Sequence, residues 1–385
     1  MTQFSDSALA ASSEAAGTRQ ATPEWVAKHV DAVILVGGKG TRLRPLTLSA
    51  PKPMLPTAGV PFVAHMIARI KDAGITHIVL GTSYKAEVFS EYFGDGSDFG
   101  VSIDYVFEAE PLGTGGGIRN VADKLRPEAD TVMIFNGDVL SGCDLNALLD
   151  YHVAASADVT LHLTKVHDPR AFGCVPTDMD GRVTAFLEKD PNPITDQVNA
   201  GTYVFSRDVL MSIPAGRPVS VERETFPGVL ENGLKMMGFV DQTYWRDLGT
   251  PRDFIAGSAD LVRGIVTSSA LPGGTGEALV LEGAEVAESA QLRGGTVIGE
   301  GCVIGAGAVI DGSVLLAGAQ VAEGAAITGS VLGRDARIGA ETVLTGTVIG
   351  DGAQIGARVE LAEGARVWPG ATLADGSVRF SSDAS

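Results

Sequence analysis

Three glycines stand within four residues in the string Leu35-Val36-Gly37-Gly38-Lys39-Gly40-Thr41-Arg42-Leu43-Arg44-Pro45-Leu46-Thr47, and Pro51-Lys52-Pro53 follows close behind. Glycine leaves backbone N–H groups bare, so such a loop can converge several donors on one anion. Arg42, Arg44 and Lys52 bring fixed positive charge to the same mouth. This chemistry is the holding of phosphates, a polyphosphate better than a single one. Two common phosphate loops do not fit. The dinucleotide fingerprint needs a third glycine where Leu43 stands, and the Walker pattern needs Gly-Lys-Ser/Thr ahead of a helix. Two carboxylates complement the cations. Asp138 closes Asn136-Gly137-Asp138, and Asp247 lies in Trp245-Arg246-Asp247-Leu248-Gly249-Thr250-Pro251. Each is either an ordinary turn acid or a hard oxygen ligand for a divalent cation beside bound phosphates.

A third segment, Glu108-Ala109-Glu110-Pro111-Leu112-Gly113-Thr114-Gly115-Gly116-Gly117, joins a carboxylate to glycines that allow close approach of a base or ribose. It opens a helix, whose N-terminus adds positive potential. One carboxylate can accept from both donors on guanine's Watson–Crick edge. Thymine and uracil, with a donor flanked by acceptors, suit an amide better, and the N1 acceptor of adenine repels a carboxylate. Glu108 thus selects guanine if this loop reads a base, and is a solvated strand-end acid if it does not.

Positioning these residues is the work of regular elements. The apolar run 32–36 reads as a buried parallel strand that empties into the glycine loop. Residues 61–73, 85–93 and 145–152 read as helices, and 76–80, 101–107, 131–135 and 159–166 as strands. Thr250 and Pro251 are the N-cap and first position of a helix running through Ser258. Such alternation predicts an α/β fold around a Rossmann-like, mixed but mostly parallel sheet, with ligands beyond the carboxyl ends of its strands. The glycine loop, Glu108 and Asp138 all fall at such ends.

From about residue 280 the texture changes. Val297, Val303 and Val309, and later Val343, Val348 and Ile355, recur at a step of about six, with Gly and Ala between them. This predicts a left-handed β-helix of hexapeptide repeats, on the order of five coils at three hexapeptides each. The chain therefore divides into a loose tail (1–28), an α/β catalytic domain (29–265), a linker containing Pro272-Gly273-Gly274 (266–278) and a β-helix (279–375).

Composition bounds the function. A chain of 385 residues, 45% hydrophobic, is too long for one ordinary core and too apolar to be largely disordered. A formal charge of −18 argues against nucleic-acid and anionic-membrane partners, though not against a nucleotide, which needs only local cations. No apolar run is long enough to span a membrane. Cys143, Cys174 and Cys302 form neither a zinc pattern nor a disulfide framework, which fits a reduced, cytoplasmic setting. No histidine follows His167, so the β-helix lacks the general base of hexapeptide acyltransferases. It reads as a structural, assembly or regulatory module.

The whole glycine string with its Pro-Lys-Pro closely resembles the signature of the sugar-1-phosphate nucleotidyltransferases, Gly-Gly-x-Gly-Thr-Arg-Leu-x-Pro-Leu-Thr followed by Pro-Lys-Pro. The resemblance covers about residues 31–373. It implies in-line attack of a sugar phosphate on the α-phosphorus of a nucleoside triphosphate, releasing pyrophosphate without a covalent enzyme intermediate. By the same resemblance Leu35, Gly37, Gly38, Gly40, Thr41, Arg42, Glu108, Pro111, Gly113 and Thr114 bind the nucleotide. Arg42 acts on the leaving pyrophosphate, Lys52 on the phosphates near the reacting centre, and Asp138 with Asp247 holds Mg²⁺. Gly173, Glu188, Lys189, Asn199, Gly201 and Asp247 take the sugar phosphate.

Glu108 with its Pro-Leu-Gly-Thr-Gly-Gly, together with Ser220-Val221-Glu222-Arg223-Glu224-Thr225-Phe226-Pro227, looks most like the branch that moves GMP from GTP to mannose 1-phosphate. That family's base loop often continues Gly-Thr-Ala-Gly, where this chain has Gly113-Thr114-Gly115-Gly116-Gly117. Two alternatives stay open: a glucose-1-phosphate enzyme using another triphosphate, and a catalytically silent subunit that binds sugar nucleotide. Intact Arg42, Lys52, Asp138 and Asp247 speak against the silent one. A homo-oligomer through the β-helix or the catalytic domain is expected, because stacked coils leave a face or end to be covered.

Overall fold

Four parallel strands, Ser102–Phe107 at the edge, then His77–Thr82, Val30–Leu35 and Thr131–Asn136, lie side by side in a nine-stranded sheet. The computed structural model describes residues 21–362 and 364–379. Gln197–Ser206 runs antiparallel beside Thr131–Asn136, Val159–Lys165 antiparallel beside that, and Met236–Val240 parallel beside Val159–Lys165. Val30–Leu35 is buried along nearly its whole length, as the apolar run from Ala32 onward requires in a central parallel strand, and its one charge, buried Asp31, is paired with Arg126. Phe62–Asp72 covers the sheet with Phe62, Val63, Met66, Ile67 and Ile70, one stripe of a helix. Pro251–Val262 starts on Thr250, whose hydroxyl accepts from the Asp253 N–H. No helix among the described residues is long and apolar enough to cross a membrane.

Residues 1–20 of the expected tail lie outside the described residues. Residues 23–28, also expected there, are helical: Pro23–His29 is a helix with Thr22 as its cap, and Val26 is buried. Thr-Pro-Glu is an N-cap, first-turn proline and first-turn acid in sequence, a start signal that the surrounding polar stretch obscures.

The C-terminal strands form a left-handed β-helix of three parallel sheets with six, six and five strands, one rung more in two sheets than the repeat count predicts. Two-residue strands point their side chains to opposite sides, and this decides which aliphatic is inside. Ile298, Leu315, Leu332 and Ile349 fill the β-helix interior, while Val297, Val314, Val331 and Val348 face out. Those four valines share a core with Ile255, Leu261 and Val262 of the catalytic unit. Val303 and Val343, counted as core from their spacing, are 40% and 41% exposed, and Ile304 and Leu344 beside them point inward. The slips in the six-residue step also have a cause. At one shortened corner the N–H groups of Ser313, Ser330 and Thr347 donate to the hydroxyls of Thr296, Ser313 and Ser330, each 17 residues earlier. A buried N–H needs a partner, and hydroxyls supply it rung by rung.

The segment expected as a linker is packed rather than free. Val266 is buried and Leu271 lies against the shared core. Ser268 meets buried His65, whose other ring nitrogen lies 2.8 Å from the Thr57 carbonyl. Burial holds His65 below the usual histidine pKa, so it serves as a neutral core residue.

Candidate active site

At the carboxyl ends of Val30–Leu35 and Thr131–Asn136 a cleft of about 370 Å³ is lined by Gly37, Gly38, Gly40, Thr41, Arg42, Lys52, Asn136 and Asp138. Gly40 has φ +54°, and a Cβ there would meet Lys52 Cβ and Thr47 Cγ2 at 3.0 Å. Glycine therefore lets the loop fold back onto the Lys52 segment, where Thr47 Oγ1 donates to the Gly40 carbonyl at 2.8 Å. The result is a mouth with Lys52 on one wall and bare backbone on the other.

A short ribbon brings the two aspartates together. Val139–Ser141 pairs antiparallel with Trp245–Asp247, setting Asp247 opposite Val139, and the Leu248 N–H donates to the Asp138 carbonyl at 2.9 Å. Lys52 Nζ lies 2.7 Å from Asp138 Oδ2 and 3.7 Å from Asp247 Oδ1. Burial, with the Asp138 charge adding to it, raises the Asp247 pKa, and Lys52 and Arg42 only partly offset this. Asp247 Oδ1 is buried and accepts no hydrogen bond. Two carboxylates sharing one lysine, with one buried oxygen that accepts no hydrogen bond, are a donor set that suits a hard divalent cation.

Cys143, His162 and Asp241 also meet within 4.8 Å. There, however, a guanidinium already supplies the cation: half-buried Arg69 donates to the Cys143 carbonyl at 2.6 Å. Burial holds His162 down to about 4 and Cys143 up to about 12, so ring and thiol stay neutral beside the Asp241 carboxylate.

A second cleft of about 540 Å³ adjoins the first, shares Leu35, Gly37, Gly38 and Thr114 with it, and adds Tyr84, Glu108, Pro111 and Gly113. Burial raises the pKa of Glu108, while the Leu112 N–H, donating to Oε2 at 3.4 Å, pulls the other way. The glycines of this loop answer to the protein's own backbone. A Cβ on Gly113 would meet the Val219 carbonyl at 2.6 Å, and one on Gly115 or Gly116 would strike the 217–219 segment at 2.9 Å. The N–H groups of Gly115 and Gly116 donate to that Val219 carbonyl at 2.9 and 3.2 Å. Two of the first N–H groups of this helix are therefore taken by the protein's own backbone, while Gly113 and Thr114 line the cleft. Thr114 is similarly engaged: its hydroxyl donates to Glu222 Oε2 at 2.8 Å and accepts from the Val221 N–H at 2.9 Å. Only Gly117 serves Glu108 directly, since a Cβ there would lie 2.7 Å from Oε1.

On the other flank, Gly173 pairs opposite Glu188. Lys189 Nζ is 3.5 Å from Glu188 Oε1 and largely exposed. Asn199 shapes a turn, with Oδ1 accepting from the Gly201 N–H at 3.0 Å and Nδ2 donating to Tyr203 Oη at 2.9 Å. Gly201 has φ +76°, and a Cβ on it would lie 3.0 Å from Asn136 Nδ2, so this turn abuts the phosphate cleft. Trp245 ties the flank to the aspartate ribbon: Nε1 donates to the Ala200 carbonyl at 3.0 Å, and its ring meets Phe172 edge-on.

Sequence reasoning gave no role to Asn136, Tyr84 or Gly249. Asn136 and Gly249 stood inside quoted strings, but only the fold shows them against the phosphate cleft. Tyr84, in the turn after His77–Thr82, carried no signal.

A glycine loop, an adjoining cleft beside Glu108 and paired carboxylates lie together at the mouth of one sheet, and the chain belongs to the nucleotidyl transferase family, whose model matches residues 31–264. Residues 275–379 match a GMPPB C-terminal domain. The chain is 64% identical over 356 residues to a mannose-1-phosphate guanylyltransferase of Mycobacterium tuberculosis, covering 92% of this chain and 99% of that protein. It is 36% identical over 293 residues to the probable mannose-1-phosphate guanylyltransferase 2 of Oryza sativa subsp. japonica, covering 75% and 80%. Among solved structures, HddC from Yersinia pseudotuberculosis complexed with GMP-PN matches with a TM-score of 0.52 and 30% identity, covering 59% of this chain and 97% of that one.

Proposed function

We propose that this chain transfers GMP from GTP to mannose 1-phosphate, releasing GDP-mannose and pyrophosphate. The convergence of Arg42, Lys52, Asp138 and Asp247 on one mouth carries the reading. Its likeness to named mannose-1-phosphate guanylyltransferases along nearly the whole chain supports the choice of substrates. An oxygen of the sugar phosphate attacks the α-phosphorus in line, the new P–O bond forms, and the bond to the β-phosphate oxygen breaks.

The protein works by positioning and charge neutralisation. Arg42 and the bare N–H groups of the glycine loop receive the charge that builds on pyrophosphate. Lys52 steadies the phosphates at the reacting centre. Glu108 accepts from the guanine edge, while Glu188, Lys189 and the Gly201 turn hold the sugar phosphate. Asp138 and Asp247 would bind Mg²⁺, which supplies further charge neutralisation at the phosphates when present.

Pyrophosphate release over a panel of nucleoside triphosphates and sugar phosphates tests this, with GTP and mannose 1-phosphate expected to be the preferred pair. Preference for glucose 1-phosphate would overturn the sugar, and silence with every pair would overturn the reaction. Glu108→Gln should cut the preference for GTP over dTTP by at least about tenfold, because the carboxylate matches two guanine donors and an amide does not. An unchanged preference removes Glu108 from base selection.

A further inference from the structure

One column of the β-helix breaks its own rule. Leu279, Val297, Val314, Val331, Val348 and Arg366 occupy equivalent places in six successive rungs, paired each to the next in parallel register. The first five are aliphatic and pack against the catalytic unit; the sixth is an arginine. Nothing in the repeat calls for charge there, and Arg366 is exposed. Its Nη1 donates to the backbone carbonyl of Arg44 at 2.7 Å, across 322 residues of chain. Arg44 belongs to the glycine string, two residues after Arg42 and on the same short turn, whose N–H groups of Leu43 and Arg44 donate back to Gly40 and Thr41. The last rungs and the catalytic helix Pro251–Val262 otherwise leave a gap lined by Thr250, Arg252, Ile255, Val348 and Arg366. Leu43 and Leu46 hold the loop to the same core on one side, and across this gap the Arg366 hydrogen bond is a polar tie added to them.

We propose that Arg366 is a positioning residue: from the β-helix it anchors the phosphate loop by its Arg44 carbonyl and so sets the place of the Arg42 guanidinium. It touches no substrate. The reading rests on the nucleotidyl transfer proposed above and adds to it a reason for the β-helix to lie where it does. A charge-assisted hydrogen bond to a backbone carbonyl restrains a loop more firmly than a neutral one, and small misplacements of a catalytic group cost rate steeply.

Arg366→Met keeps the apolar stem and removes the donor; Arg366→Lys keeps a charge that reaches part of the way. In the full chain, Arg366→Met should lower kcat about tenfold, leave KM for mannose 1-phosphate within about twofold, and leave Tm essentially unchanged, with Arg366→Lys intermediate. Amide hydrogen exchange over residues 41–48, read without substrate, should quicken in Arg366→Met. In an Arg42→Ala background, Arg366→Met should cost less than about twofold, because its effect passes through Arg42. Unchanged kcat with unchanged loop exchange would overturn the proposal, as would an equal loss in both backgrounds. If the wild-type chain releases no pyrophosphate with any substrate pair, the reaction fails, and the exchange measurement still decides the role of Arg366.

Discussion

Replacing Gly249 with alanine adds one carbon where the site is already crowded. A Cβ there would lie 2.7 Å from Arg42 Nη2, 3.0 Å from Arg42 Cζ and 2.9 Å from Asp247 Oδ1, where ordinary contact begins at 3.4 Å. The guanidinium must retreat by several tenths of an ångström, and the carboxylate with it. Gly249 does not lie in the left-handed region, so alanine fits the backbone without strain. Such a substitution even gains ~0.4–1 kcal/mol by restricting the unfolded chain. Stability and activity are thus driven apart. Misplacement of about 1 Å can cost ~10²-fold in rate, so the expected loss in kcat for Gly249→Ala is about tenfold to a hundredfold, with Tm unchanged or slightly raised. Pyrophosphate release at saturating substrates and a thermal melt measure the two. A folded variant within twofold of wild-type kcat would show that the contact of Gly249 with Arg42 and Asp247 does not matter to turnover. A large fall in Tm would show that the backbone, not the two side chains, gives way.

Asp247→Asn should lose turnover by ~10²–10³ while Tm holds or rises, because a buried amide escapes the desolvation and the Asp138 repulsion that raise the carboxyl pKa; activity within tenfold of wild type sinks the metal-holding role. At the opposite end of the sheet, His77 lies 3.1 Å from Asp31 and 3.2 Å from Asp104. Burial lowers its pKa most strongly, yet the two carboxylates outweigh that and leave it raised above 6.5. Its contribution to stability is complete below pH 6.5 and is lost as pH climbs through the raised folded value. Thermal melts should therefore fall over that window in wild type and flatten in His77→Gln; parallel slopes refute the pairing.

What the sequence discloses follows from how local each cause is. The strand that empties into Gly37, the cap at Thr250 and the six-residue step are written in neighbouring residues. The meeting of Asp138 with Asp247 is not, since a three-residue ribbon makes it from distant segments. Gly113, Gly115 and Gly116 announce that backbone comes close, but not whose backbone; Val219, far along the chain, answers that. In the β-helix, paired aliphatics such as Val303-Ile304 give no local sign of which one faces inward, because a two-residue strand has no periodicity to read. Arg366 was visible only as a flaw in a column, and the column exists only once the coils are stacked.

The valine face shared with Ile255, Leu261 and Val262 makes the β-helix a load-carrying wall of the enzyme rather than an annex. Cut the chain between the halves and each fragment wears a greasy scar: valines on one, the flank of the Pro251–Val262 helix on the other. Each half also keeps a core of its own, yet the shared face should couple them so that they melt together as a single cooperative unit.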